Sequence, residues 1–315
     1  MSGWITVLIG VGVLAGLLGL TTGMIWIERR LLALFQDRLG PNRVGPAGLL
    51  QPIADIIKLF MKEDWIPPFA DKFVFVFAPM IVVVTVLFAF AVVPFTEQIK
   101  VSDANVGLLF FLGMTSLSVY SIALAGWASN SKYSLIGGLR GAAQMISYEI
   151  PMAVSLVGVV MLAGSFRLID IVNAQSRFWF ILTQPLGFVI FLIAGFAEAR
   201  RTPFDLPEAD SEIVAGYHTE YSSMKFALFF MGEYLDLILI SVMTTVLFLG
   251  GWHGPFLPPI VWFLIKTFAL IFLFIWVRAV LPRYRFDQLM GFGWKALLPL
   301  SLLNVLVTGA AALAR

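Results

Sequence analysis

Five carboxylates fall within the 22 residues RRTPFDLPEADSEIVAGYHTEY (200–221). They are Asp205, Glu208, Asp210, Glu212 and Glu220, over a quarter of the 19 acidic side chains in the 315-residue chain. Acids this close in sequence repel one another's charge, which raises some of their pKa values and couples their titration, as a proton-handling site requires. Phe204, Leu206, Ile213, Val214, Tyr217 and Tyr221 interleave with the acids, and Pro203 and Pro207 stiffen the stretch. That pattern suits a segment packed at a surface with its carboxylates at fixed places; composition alone fits a solvated loop equally well.

A second set of ionisable groups sits inside or at the ends of apolar runs: Glu149, two residues before Pro151; Glu233 and Asp236, three apart; Glu28 and Glu198; and Lys266. A charge at bilayer depth costs about 2.5 to 3.5 kcal/mol on insertion scales, so Glu149, Glu233 and Asp236 read as functional residues. The alternative is that fixed cations such as Lys225 or Arg278 neutralise them purely for assembly. Glu28 and Glu198 are expected at the inner ends of their helices, and Lys266 is expected to snorkel. The chain has no cysteine and only two histidines, His218 and His253, so no thiolate-held zinc or iron–sulfur centre can be built from it. Electron transfer would have to be supplied by a partner.

The elements that position these groups follow from hydropathy. Sixty per cent of residues are hydrophobic, 13% are charged, and mean hydropathy is +0.92, which predicts an all-α integral membrane protein. A net charge of +2 without any long basic cluster argues against a nucleic-acid partner. Apolar runs near the roughly 20 residues that cross a bilayer predict eight transmembrane helices, at about 4–27, 73–95, 106–127, 142–163, 178–197, 226–249, 260–281 and 296–314. They form a single polytopic domain over 1–315. No basic residue precedes the first run, so it reads as a retained span and not as a signal peptide. The loops after spans one, three, five and seven hold 16 of the 21 Lys and Arg, which places the acidic stretch inside and both termini outside. Between spans one and two, residues 49–62 have Leu49, Leu50, Ile53, Ile56, Ile57 and Phe60 at helical spacing with Gln51, Asp55, Lys58 and Lys62 opposite. This pattern predicts an amphipathic interfacial helix, lying against lipid or against other protein. In the first span Gly12, Gly16, Gly19 and Gly23 share a face, suited to close helix packing or to a groove for an apolar chain.

Four segments carry a resemblance: ERRLLALFQDRLGPNRVGPAGLLQPIADIIKLFMKEDWIP (28–67), GWASNSKYSLIGGLRGAAQMISYEIPM (126–152), RRTPFDLPEADSEIVAGYHTEYSSMKFALFFMGEY (200–234) and LPRYRFDQLMGFGWK (281–295). The chain resembles the quinone-end membrane subunits of respiratory complex I, the proton-pumping NADH:quinone oxidoreductase. The resemblance implies eight spans and a chamber for quinone, ubiquinone by preference, as substrate. It places NADH, FMN and iron–sulfur clusters in partner subunits only. It implies peripheral-arm quinone-reducing subunits at the inner face, other membrane-arm subunits and membrane lipid as partners, in a bacterial inner membrane. Glu28, Arg29, Arg38, Arg43, Arg278 and Arg283 would belong to the chamber and the subunit junction, with Asp55 beside the access path. Asp205, Glu208, Asp210, Glu212 and Glu220 would lie between quinone and an acidic route through Glu149, Glu198 and Glu233. The Glu208-Ala209-Asp210 run differs from the Glu-Ala-Glu or Glu-Gly-Glu of many members. Membrane subunits of energy-conserving hydrogenases are a related alternative; a stand-alone ion-coupled transporter and a structural anchor are others from different classes.

Overall fold

The computed structural model describes residues 3–208 and 210–314, and among these there is no strand. In chain order the helices are α1 (Gly3–Phe35), α2 (Gln51–Met61), α3 (Lys72–Phe90), α4 (Gly107–Ala128), α5 (Lys132–Ala163), α6 (Leu168–Ala174), α7 (Phe180–Thr183), α8 (Pro185–Glu198), α9 (Asp210–Ile213), α10 (Ser223–Phe248), α11 (Pro259–Val280), α12 (Phe286–Phe292) and α13 (Leu298–Leu313). A π-helical segment, Gly293–Leu297, joins the last two. Among the described residues seven helices are long and apolar enough to cross a membrane.

The predicted fifth span, 178–197, is not one helix. Pro185 has no N–H to donate and disfavours helical geometry in the residue before it, and Gln184 duly sits at φ −131°, ψ 51°. What remains is the turn α7 and the 14-residue α8, about 21 Å of rise against a hydrocarbon core of about 30 Å. Gln184 is buried at the break, donating to Thr308 Oγ1 at 2.6 Å and accepting from Asn304 Nδ2 at 2.9 Å. α1 departs from expectation the other way: it runs on through Glu28, Arg29 and Arg30 for 33 residues, about 50 Å. α5 begins ten residues before the predicted 142. Its start packs on α4 through paired glycines, since a Cβ on Gly138 would lie 3.1 Å from the Gly126 Cα.

α10 is the central element. Every residue from Glu233 to Phe248 is buried, whereas α1 and α13 expose Leu8 and Leu306, as a helix bordering lipid does. α2 forms where predicted, with Ile53, Ile57, Phe60 and Met61 exposed. Arg29 of α1 holds it through Asp55 at 2.6 Å, and Lys225 of α10 pairs with Asp64 just beyond its end.

Candidate functional site

α8 ends at Glu198, and within two residues the chain turns through Arg200, whose φ of 54° lies in the left-handed region. That reversal separates two adjacent arginine side chains. Arg200 Nη2 donates to Asp236 Oδ2 at 2.7 Å. Arg201 Nη1 donates to Glu28 Oε1 at 3.0 Å, its Nε lies 2.9 Å from Glu233 Oε1, and its guanidinium covers the Tyr234 ring at 4.5 Å. All five ion-paired groups are buried. Arg278 of α11 reaches the same Glu28 carboxylate, so one acid joins α1, α11 and the loop. Burying ions is tolerable only with partners at this range.

The neutralising partners proposed from sequence are therefore corrected. Lys225 serves Asp64 and Arg278 serves Glu28, while Arg201 and Arg200 serve Glu233 and Asp236. Gln144, unremarked in the sequence, pins the turn from both sides. Its Nε2 donates to the Ala197 carbonyl at 2.8 Å and to the Phe204 carbonyl at 2.7 Å. Nothing local set this amide apart from the other polar residues of α5, Arg140, Ser147 and Glu149 among them.

The acidic loop sits on a glycine face of α5, which sequence reading also missed. A Cβ on Gly137 would come 2.6 Å from the Tyr217 amide nitrogen, and one on Gly141 would come 3.1 Å from Pro207 Cβ. The first half of the loop is drawn inward. Arg283 Nη2 donates to Asp205 Oδ2 at 2.8 Å, while the buried Oδ1 has no protein partner among the described residues. Burial pushes the Asp205 carboxyl up to about 6, with Glu233 adding to the rise and Arg283 opposing it. Burial also holds Glu208 well above the usual carboxylate range, reinforced by Glu233 and Asp205 and opposed by Arg200 and Arg201; His218 Nδ1 is 3.8 Å from its Oε1. The second half turns outward: Glu212 is exposed and receives Arg140 Nη2 at 2.5 Å, and Glu220 is half-buried. The side chain of Asp210 lies outside the described residues.

Two acids continue the set into the helix bundle. Glu198 is buried with Oε2 lacking a protein partner among the described residues, and its charged neighbours are Asp236, Glu149 and Arg200. Glu149, half-buried on α5, accepts from Ser116 Oγ of α4. Lys266 does not reach lipid. It is buried, and its Nζ donates to the carbonyls of Leu249, Gly251 and His253 beyond the end of α10.

Arg38, bonded to Gln36, and Arg43 are exposed on the loop after α1, apart from the buried network. No described residue comes within 4 Å of a Cβ built on Gly12, Gly16, Gly19 or Gly23, so the stripe faces outward.

A sequence profile described as NADH dehydrogenase matches residues 8–309. The chain is 58% identical over 304 residues to a protein of Methylococcus capsulatus that is named as a subunit of NADH-quinone oxidoreductase, covering 96% of each chain. It is 58% identical over 301 residues to a protein of Geobacter metallireducens named in the same way, covering 93% of this chain and 92% of that one. A further relative so named, from Syntrophotalea carbinolica, is 55% identical over 316 residues, covering 97% of this chain and 96% of that one. Matched nearly end to end by such relatives, with the profile spanning residues 8–309, the chain belongs to the NADH dehydrogenase family.

Proposed function

We propose that this chain is the membrane subunit against which quinone is reduced in an NADH-quinone oxidoreductase, and that its acids pass the resulting charge change into proton movement across the membrane. The names of its relatives support the assignment. The observation that supports the coupling is the set of buried and half-buried groups leading from Asp205 and Glu208 through Arg201, Glu233, Arg200 and Asp236 to Glu198 and Glu149. Carriers of charge spaced this way respond to one another.

Reducing a quinone to its quinol takes two electrons and two protons. A unit negative charge about 10 Å from a carboxyl, at an effective dielectric near 20, is worth about 1.7 kcal/mol, a little over one pKa unit. Asp205, at about 6, is close enough to neutrality for that change to alter its protonation. Protonation of Asp205 then relieves part of the repulsion on Glu208, whose charge Asp205 and Glu233 oppose.

In this reading the chain is one polytopic domain with eight crossings, α8 with α7 supplying the broken one, and α2 lies in the interface. The loop carrying Asp205 faces the cytoplasm of a bacterial cell, where peripheral-arm subunits carrying FMN and iron–sulfur clusters dock. Ubiquinone is the substrate, reached beside α1 and α2, near Asp55 and Arg29. Glu28, Arg278 and Arg283 close the inner face, with Arg38 and Arg43 at the subunit junction. The test is Asp205→Asn and Glu208→Gln in the assembled complex. Both are expected to cut quinone-linked turnover severely while NADH oxidation by an artificial acceptor survives. Near-normal quinone turnover in both variants would return the stretch to an ordinary loop.

A further inference from the structure

Among the described residues the buried lysines and arginines are Arg200, Arg201, Lys225 and Lys266, and the first three pair with carboxylates. Lys266 pairs with none. Its Nζ instead donates to the carbonyls of Leu249, Gly251 and His253 at 2.6, 3.0 and 2.6 Å, just past the end of α10. Three acceptors demand three N–H groups, which an ammonium has and a neutral amine lacks, so the cage holds the charge in place. Leu249 caps α10, at the negative end of the helix dipole. The Trp179 ring faces the ammonium at 4.3 Å, a second attraction that involves no carboxylate. The result is a fixed positive charge inside the bundle that no acid neutralises.

That charge stands at the end of a polar seam. Beyond Asp236 the polar side chains of α10 are Ser241, Thr244 and Thr245, each wholly buried. Thr245 Oγ1 lies 3.4 Å from Thr267 Oγ1, and Thr267 is the neighbour of Lys266 on α11. From Asp236 to Thr245 is about 14 Å of helix, so the seam starts at the acids and finishes beside the ammonium. Past Lys266 comes His253, half-buried, whose Nε2 is buried with no protein partner among the described residues. Burial pushes the His253 imidazole below its ordinary value and the Lys266 charge pushes it further, with Glu97 opposing. The same repulsion meets any proton that arrives at this end of the bundle.

We propose that Lys266 is an electrostatic barrier, denying the acids around Asp236 any proton exchange with the membrane face opposite Asp205. A proton route open to both faces at once would short-circuit the gradient it serves. A caged cation closes one face without a moving part, as fixed positive charges do in pores that exclude protons. The inference rests on the proton-handling reading of the acids and adds the group that makes their exchange one-sided.

The experiment uses the assembled complex in phosphatidylcholine vesicles that enclose a pH-sensitive dye, with no NADH or quinone added. After an imposed pH step, with the membrane potential clamped by a potassium ionophore, internal pH should relax faster in Lys266→Met than in wild type. A unit charge about 10 Å away, at an effective dielectric of about 20, is worth a little over one pKa unit, so the protein-dependent proton leak should rise about tenfold. Lys266→Arg keeps the charge and should stay at the wild-type rate, and sodium efflux should change in neither. Adding Thr245→Val, which removes a hydroxyl from the seam at nearly constant shape, should reduce the extra leak. If Lys266→Met does not assemble, Lys266→Gln, whose amide still donates to two carbonyls, carries the same expectation. An unchanged proton leak in the neutral variant overturns the proposal. So does sodium leaking along with protons, which marks a packing defect at a helix cap, or an extra leak that Thr245→Val leaves untouched. Because the assay involves no turnover, silent Asp205→Asn and Glu208→Gln variants would undo the proposed coupling and leave this result standing.

Discussion

Removing the cation beside Asp205 should move the pH dependence of turnover. At 2.8 Å the attraction between Arg283 and Asp205 amounts to about 1.5 kcal/mol at the dielectric of water and about 6 kcal/mol at an effective value near 20. Arg283 is 26% exposed, which argues for the lower figure. At about 1.4 kcal/mol per pKa unit, Arg283→Gln should raise Asp205 by at least about one unit from its value of about 6. At pH 7 the wild-type carboxyl is about nine-tenths ionised; in the variant it is about half ionised or less. If turnover needs an ionised Asp205 to accept a proton, the acid limb of the pH–rate profile moves up by at least about one unit and activity returns at alkaline pH. The assay is quinone-linked NADH oxidation by the assembled complex across the pH range, with an artificial acceptor reporting assembly. Arg283→Lys keeps the charge and should restore most of the limb. An unmoved acid limb in Arg283→Gln, or a persisting limb in Asp205→Asn, refutes the reasoning.

Glu149→Gln keeps the shape and removes the proton site, and should leave an assembled complex with reduced turnover and reduced pumping, measured by vesicle acidification; unchanged pumping would remove Glu149 from the route. Gly23→Leu meets nothing among the described residues, so it should leave stability unaltered yet raise the apparent KM for long-tailed quinones more than for short-tailed ones; equal effects on both would mean that the stripe packs against another subunit. In a chain without native cysteine, cysteines at exposed Val214 and Phe256 should react with a membrane-impermeant reagent from opposite sides, Val214→Cys from the cytoplasm, and reversed labelling would invert the topology.

Hydropathy made most of the fold legible because crossing a bilayer imposes a length and a composition that any window can read. It failed where backbone chemistry overrode composition. The run 178–197 is apolar nearly throughout, but its Gln184-Pro185 pair breaks the helix, and the pair was there to be read. The extension of α1 was hidden for the opposite reason. Glu28, Arg29 and Arg30 look like a stop, yet charged residues are good helix formers, and Glu28 finds its partners at Arg201 and Arg278, far away in sequence. The acids themselves were visible as costly residues in apolar surroundings. Their pairing was not, because nothing local distinguishes Arg200 from Arg201; a left-handed φ at one of them sends the two side chains to different carboxylates.

The pattern of those pairings favours the proposed proton-handling reading over a structural clamp. A clamp balances its charges. Here, among the described residues, the five carboxyl groups of Glu28, Glu149, Glu198, Glu233 and Asp236 face the three cations Arg200, Arg201 and Arg278, an excess of acids that pairing alone does not match. The loop repeats the asymmetry: Asp205 has Arg283, but Glu208 adds a second carboxyl whose charge both Asp205 and Glu233 oppose. Nor does Asp205 stabilise the fold at working pH. Its folded value of about 6 lies above the reference 3.8, so the contribution it makes below about pH 4 is lost as pH climbs through 6. A buried carboxyl kept at a cost to stability, beside an unpartnered oxygen and a removable cation, is what a site that must change its proton content requires.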